Sequence, residues 1–304
     1  MTAHPFIASA LAAITVDAAS QRTAQFASAL LVNDTDADIE IDSIRFMVFP
    51  TTFSLAGAGT YDLCSIIAAS VEIDRRPLTS GYVYLRGLGS RKQVALEIGQ
   101  NAIGRDFPVS YVDWPFPPGC ILRQGAAPDI RIRADALSDA PATTGYGGLN
   151  VWATVVGRGG PLRTGRPCVP YVTEFAPGAM QYTGGVNFAA SIRPSLTNLL
   201  GVPLHLERLR VWMATAVVAA DTAVPASLNR DPASLLASVV GPSNSDIVKG
   251  HVPLGSIVSP FDGNLWLKGI LSPMEAISVA LRENDSADSD VHFPHLALHG
   301  SYVP

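Results

Sequence analysis

FASALLVNDTDADIEIDSIRFMV, residues 26 to 48, decides how this chain is read, because a degenerate second copy, FAASIRPSLTNLLGVPLHLERLRVWM, runs from residue 188 to 213. Set beside each other, Ile39-Glu40-Ile41-Asp42-Ser43-Ile44-Arg45-Phe46 and Leu204-His205-Leu206-Glu207-Arg208-Leu209-Arg210-Val211 match apolar to apolar, acid to acid and arginine to arginine at one offset. They also share a fault. Ile39 and Ile41 alternate with polar residues, Asp42 and Ser43 then fall together, and alternation resumes one step out of phase at Ile44 and Phe46; Glu207-Arg208 does the same between Leu206 and Leu209. A period of two marks a half-buried strand, and a one-residue slip turns the apolar set to the wrong face unless a bulge or bend absorbs it. A slip shared by two copies predicts one folded unit used twice, with Arg45 and Arg210 as equivalent outward residues beside the bend. Glu40 is expected to point outward too.

The repeat offset of roughly 160 residues falls in the usual domain range, so 304 residues predict two domains. Hydrophobic residues make up 48% of the chain, charged residues only 15%, and there are 26 Gly and 23 Pro. This is the profile of many short strands and turns rather than long helices. The organisation predicted is 1–156, a first β domain with an N-terminal arm; 157–172, a Pro/Gly linker carrying Arg158, Arg163 and Arg166; and 173–304, a second β domain. The arm is expected to dock on its own or a neighbouring subunit.

In the first domain, strands are predicted at 14–16, 25–32, 39–49, 81–86, 93–98, 121–123, 129–134 and 149–156. Between them lie an Asn33-Asp34-Thr35-Asp36 turn and a short helix within 61–70. The second domain is expected to follow the same order, with strands at 265–270, 277–282 and 294–303. A helix is expected at 231–241, where Asp231 and Pro232 supply cap and first-turn signals and Gly241 a stop.

Chemistry is sparse. A net charge of -5 gives no electrostatic basis for direct nucleic-acid binding. The odd, scattered Cys64, Cys120 and Cys168 are expected as buried free thiols. The apolar N-terminal run lacks a basic flank and is too short to span a bilayer, so neither a signal peptide nor a transmembrane segment is expected. After His4 the first domain has no histidine, and no nucleophile elbow, P-loop or zinc-protease motif occurs. His292, His295 and His299 are the nearest approach to a metal set, but on a strand His292 would face away from the other two. His295 and His299 are therefore expected at an edge or interface, where their titration could make assembly pH-sensitive. Asp285, Asp288 and Asp290 are read as a solvated hairpin loop, with Ca²⁺ binding through their oxygens the alternative. No facing pair of carboxylates suits glycoside hydrolysis. The tryptophans are expected in packing, with Trp114, in a Pro-rich turn, the one expected at the surface. No catalytic residue, cofactor or metal is predicted, and the chain is not expected to be an enzyme.

Two copies of an antiparallel unit of about eight strands, each with a short inserted helix, predict an all-β fold: two tandem antiparallel β-sandwiches of jelly-roll type. An ordered N-terminal arm, a first unit, a Pro/Gly-rich linker and a second unit without a catalytic set resemble the double jelly-roll coat proteins of icosahedral viruses, including tailless bacteriophages. The resemblance covers nearly the whole chain and rests on the duplicated 26–48 and 188–213 stretches. It implies a major capsid protein, found in the virion and assembled in the host cytoplasm, whose homotrimers form pseudo-hexameric capsomers of a shell that also contacts other virion proteins. It also makes Arg45, Arg210, Arg158, Arg163, Arg166, His295, His299 and Trp114 candidate assembly residues. An accessory virion protein of a tailed phage (a head decoration or collar component) and a glycan- or receptor-binding β-sandwich are the alternatives.

Overall fold

The computed structural model describes residues 4–15, 20–50, 64, 67–93, 110–134, 148–160, 167–175, 182–183, 195–216, 235–242, 245–257, 264–283 and 291–304. The chain divides into two compact units, residues 1–170 with 303–304, and residues 171–302.

In the first unit the strands are β1 (His4–Thr15), β2 (Arg22–Gln25), β3 (Ile39–Pro50), β4 (Ile67–Ile73), β5 (Arg76–Pro77), β6 (Val83–Tyr84), β7 (Ser90–Gln93), β8 (Ser110–Pro115), β9 (Ile121–Leu122), β10 (Asp129–Ala134) and β11 (Gly148–Gly159), with a one-turn helix α1 (Leu85–Leu88) after β6. One sheet has the order β1-β11-β3-β8-β7 and the other β2-β10-β4-β5, with the short strands β9 and β6 attached to β3 and β4. Counting principal strands along the chain, this is order 1-8-3-6 facing order 2-7-4-5, the two Greek keys of a jelly roll.

The second unit runs β12 (Val169–Phe175), β13 (Tyr182–Thr183), β14 (Ser195–Thr197), β15 (Leu204–Ala216), β16 (Leu235–Val240), β17 (Asp246–Pro253), β18 (Asn264–Trp266), β19 (Ile270–Leu271), β20 (Ala276–Glu283) and β21 (Val291–Tyr302). Its sheets, β12-β21-β15-β18 and β14-β20-β16-β17, repeat 1-8-3-6 and 2-7-4-5. A one-turn helix, α2 (Leu254–Ile257), again follows the fifth principal strand. The fold is two tandem jelly-roll sandwiches with short inserted helices.

The phase slip is a bulge in both units. Along β11 the partner changes from Ser43 to Ile41 between Val156 and Gly157, leaving Asp42 as the extra residue. Along β21 it changes from Arg208 to Leu206 between His299 and Gly300, leaving Glu207 as the extra residue. The bulge keeps the whole apolar set inward: Ile39, Ile41, Ile44 and Phe46 are buried, as are Leu204, Leu206, Leu209 and Val211. The bulged backbone crowds the strand opposite. A Cβ on Gly157 would stand 2.6 Å from the Glu40 carbonyl oxygen, and one on Gly300 2.5 Å from that of His205.

Several local expectations are corrected. Residues 67–70, read as part of a helix, begin β4, and residues 235–240, read as helix, are β16. Both segments lie between two hydrogen-bonded neighbours, β4 between β10 and β5, and β16 between β20 and β17. Two ladders outweigh a local cap signal. The strand expected over 25–32 stops at Gln25 and gives way to a single 3-10 turn at Ser28–Leu30, and the one expected over 81–86 narrows to β6 before α1. Most of the strand expected at 93–98 lies outside the described residues. The N-terminal arm is an edge strand of its own unit: β1 pairs with β11 from His4 to Thr15 and buries Phe6, Ala10, Ala12 and Ile14. Residues 157–159, assigned to the linker, continue β11, and 169–172 belong to β12.

Candidate functional site

Arg45 and Arg210 occupy the same place in the two units. Arg45 lies opposite Asp113 of β8, and Arg210 lies opposite Asn264 of β18. In the first unit the contact is an ion pair, Nε to Oδ1 at 3.4 Å, with side chains 44% and 28% exposed. In the second it is a hydrogen bond from Arg210 Nη1 to Asn264 Oδ1 at 3.3 Å, with both residues buried. Arg210 is therefore not an outward residue as expected. The positional equivalence holds, but Arg210 and Asn264 are buried where Arg45 and Asp113 are partly exposed.

Arg158 donates to both carboxylate oxygens of Asp42, Nη2 to Oδ1 at 2.9 Å and Nε to Oδ2 at 3.3 Å. This fork ties the bulge residue to β11, and Asp42 raises the Arg158 pKa through its hydrogen bond and its charge. Glu40, expected outward, is buried, and its Oε1 accepts the Gly119 amide at 2.8 Å. Alternation holds at Ile39-Glu40-Ile41, so Glu40 does point away from Ile39 and Ile41, and it is buried where the Gly119 turn closes over its carboxylate. His299 is buried, with Nδ1 3.4 Å from Arg208 Nη2. His295 faces Trp212 in the β21–β15 register, but its side chain lies outside the described residues, as do Arg163, Arg166 and the Asp285-Asp288-Asp290 loop.

Trp114 is 1% exposed, which overturns its expected surface position. Alternation along β8 sends Val112 and Trp114 inward, where Trp114 meets Phe116 edge-on at 4.8 Å. Among the described side chains, the exposed tryptophans are Trp266, at 66%, and Trp152, at 37%. Trp152 lines a shallow depression of about 390 Å³ with Arg45, Met47, Tyr111 and Thr154 on the outward face of the β1-β11-β3-β8 sheet. Burial, and then the Asp113 charge, push the Tyr111 phenol up.

Asn33, expected in a turn, has a structural counterpart in Asn198 that no local pattern singled out. Buried Asn33 donates from Nδ2 to the carbonyls of Ala37 at 2.9 Å and Leu122 at 3.1 Å, and its Oδ1 accepts the Thr35 amide at 3.2 Å. Buried Asn198 donates to Val202 at 3.0 Å and Leu271 at 2.9 Å, and accepts the Leu200 amide at 3.0 Å. Backbone bonds link Asn33 to Gly125 and Ala126, and Asn198 to Met274 and Glu275. Extending the Ile39/Leu204 alignment six residues upstream sets Asn33 against Asn198, and that was the available signal.

Cys120 is buried and Cys168 half-buried, neither is in a disulfide, and both line a cavity of about 270 Å³ in the first unit with Asp74, Arg76 and Arg123. Burial above all, and then nearby Cys168, push the Cys120 thiol up. Among the described residues no three His, Cys, Asp or Glu side chains are grouped to hold a metal, and no helix is long and apolar enough to cross a membrane.

No protein-family model matches the sequence, and no curated protein matches it. Solved structures do. A structure of Sulfolobus Turreted Icosahedral Virus aligns at 14% identity with a TM-score of 0.52, covering 99% of this chain and 91% of the other. The crystal structure of the STIV MCP aligns at 15% identity with a TM-score of 0.48, covering 99% and 97%, and the mavirus major capsid protein aligns at 9% with a TM-score of 0.29, covering 97% and 87%. The chain, two tandem jelly rolls, shares its fold with the Sulfolobus Turreted Icosahedral Virus structure across almost its full length.

Proposed function

We propose that this chain is a viral major capsid protein whose homotrimers form pseudo-hexameric capsomers of an icosahedral shell. One observation carries the proposal: two jelly rolls of identical strand order follow each other in one chain that aligns over 99% of its length with a structure of an icosahedral virus. Two similar sandwiches per chain give a threefold assembly six similar bodies, and closed symmetry of this kind tiles a surface. The matched bulges at Asp42 and Glu207, glycines at 157 and 300, and asparagines at 33 and 198 support an origin by internal duplication. A place in the virion, other virion proteins as partners, a tailless bacteriophage context and assembly in the host cytoplasm belong to the proposal and come from the sequence resemblance.

The test is the assembly state of purified protein by light scattering and negative-stain microscopy. Trimers with a hexagonal outline, or closed shells, are the expected result. A protein monomeric at every concentration and retained on polysaccharide resin would overturn the proposal in favour of a glycan-binding module.

A further inference from the structure

Cys120 is held from both sides. The Gly119 carbonyl just before it accepts the Cys168 amide at 2.9 Å, and its own carbonyl accepts the Ile41 amide at 2.8 Å. Gly119 is fixed in turn, because its amide donates to Glu40 Oε1 at 2.8 Å and its φ of +101° is a turn that suits glycine. One backbone hydrogen bond therefore ties the residue before Cys120 to Cys168. A carbonyl oxygen lies about 2.8 Å from the next Cα, and an amide nitrogen about 1.5 Å from its own, so the two cysteine Cα atoms stand no more than about 7 Å apart. Disulfides span roughly 4.4–6.8 Å between Cα atoms.

The two side chains also meet the same space. Both cysteines line the 270 Å³ cavity of the first unit, and half-buried Cys168 gives that cavity a thiol that a reagent can reach. Cys64, also buried, is not among the described residues lining it. After burial, the nearness of Cys168 is the next cause that holds the proton on Cys120. The cavity leaves both sulfurs room to turn, whereas a close-packed core would hold them in one rotamer. A bond between residues 120 and 168 closes a ring of roughly 50 residues that contains β9, β10 and β11, and a cross-link over such a length removes much of the freedom of the unfolded chain.

We propose that Cys120 and Cys168 are a redox site, joined into a disulfide by exchange with an oxidised small disulfide such as glutathione disulfide, and that the bond braces the first unit. This is independent of the capsid reading. Cys168 reacts first: its thiolate attacks one sulfur of the reagent, the reagent's S–S bond breaks and one small thiol leaves. Cys120 then attacks Cys168 Sγ, the internal bond forms and the second small thiol leaves. Each leaving thiolate takes up the proton that the attacking cysteine gave up. Two protein thiols are oxidised, one small disulfide is reduced to two thiols, and nothing else is consumed. Burial keeps the Cys120 thiolate scarce, so the second step is slow at neutral pH and quickens about tenfold per pH unit. The site stays open in a reducing cytoplasm and closes in an oxidising exterior.

The test incubates the unaltered full chain with glutathione disulfide at pH 7, 8 and 9, then counts thiols after denaturation and maps unreduced peptides by mass spectrometry. The expected result is a fall from the three thiols of the sequence to one, a linked peptide pair carrying Cys120 and Cys168, a rate that climbs with pH, and a melting temperature raised by at least about 5 °C that dithiothreitol reverses. Three thiols retained at every pH overturn the proposal. So does a glutathione adduct that stays on Cys168 without passing to Cys120, or a bond that includes Cys64. The linked pair with an unchanged melting temperature overturns the brace. Cys168→Ser should lose no thiol to an internal bond, and Cys64→Ser should form the bond as the unaltered protein does. If either variant fails to fold, the peptide map of the unaltered protein decides alone.

Discussion

Asn33 and Asn198 each close a loop that has no ladder to satisfy it. Each amide fills one buried carbonyl, of Leu122 or Leu271, together with a half-buried carbonyl and a half-buried amide beside it, and a buried group costs roughly 1–3 kcal/mol when left unpaired. Asn33→Ala should therefore lower the unfolding free energy by about 2–4 kcal/mol in urea titrations. Asn33→Asp, although isosteric, should do no better, because a carboxylate has no protons to donate. The glycines opposite the bulges obey a steric rule. Gly157→Ala and Gly300→Ala force a Cβ against a backbone carbonyl, whereas a Cβ on Gly125 meets nothing within 4 Å. Thermal unfolding should show the first two losing at least about 2 kcal/mol, and Gly125→Ala, strained only by its φ of +73°, losing about 1 kcal/mol.

Cys120 makes a third residue-scale case. The folded state holds its thiol proton to higher pH than the unfolded chain does. Stability is thus intact below the ordinary thiol value and falls as pH rises above it, by up to about 1.4 kcal/mol per pH unit for one proton. Cys120→Ala should remove that slope from a series of melting curves. At neutral pH iodoacetamide should label half-buried Cys168 and spare Cys120.

At the scale of elements, β1 shows how burial alone fixes register. Its even positions Ala10, Ala12 and Ile14 are buried, and its odd positions Leu11, Ala13 and Thr15 are exposed. Ala12→Glu should place an unpaired carboxylate in the core and abolish soluble expression or cost several kcal/mol, roughly 3 or more. Ala13→Glu should leave the melting curve of the single chain within about 0.5 kcal/mol, and a solubility and calorimetry pair checks both. β16 teaches the converse. Leu235–Val240 follows a strong helix-start signal at Asp231-Pro232, yet it is the strand between β17 and β20. Ladder bonds on both edges and alternate burial of Ala237 and Val239 exceed what an N-cap contributes, about 1 kcal/mol.

For the whole molecule, the two-sandwich plan was legible because it is written in period and repetition. Ile39 to Phe46 and Leu204 to Val211 carry alternation, slip and resumption at one offset, and each of these maps to an inward face, a bulge and the next inward face. The candidate site was legible only in position. Arg45 and Arg210 were correctly equated, but a window of eight residues holds no record of what packs over a sheet, so the burial of Arg210, Glu40 and Trp114 was hidden. The outward row of Leu11, Trp152 and half-buried Met47 and Tyr111 was hidden for the same reason. Its members are up to 141 residues apart in the chain and become neighbours only through the register of four strands.

The sequence by itself determined the strands' inward faces, the two bulges and the twofold use of one unit, because side-chain alternation and its interruption are local properties of an extended backbone. Tertiary structure decided which apolar segments became strands rather than helices, and which of two equivalent arginines is buried. Hydrogen-bonded neighbours and covering surfaces come from residues distant in the chain, and no local pattern encodes them.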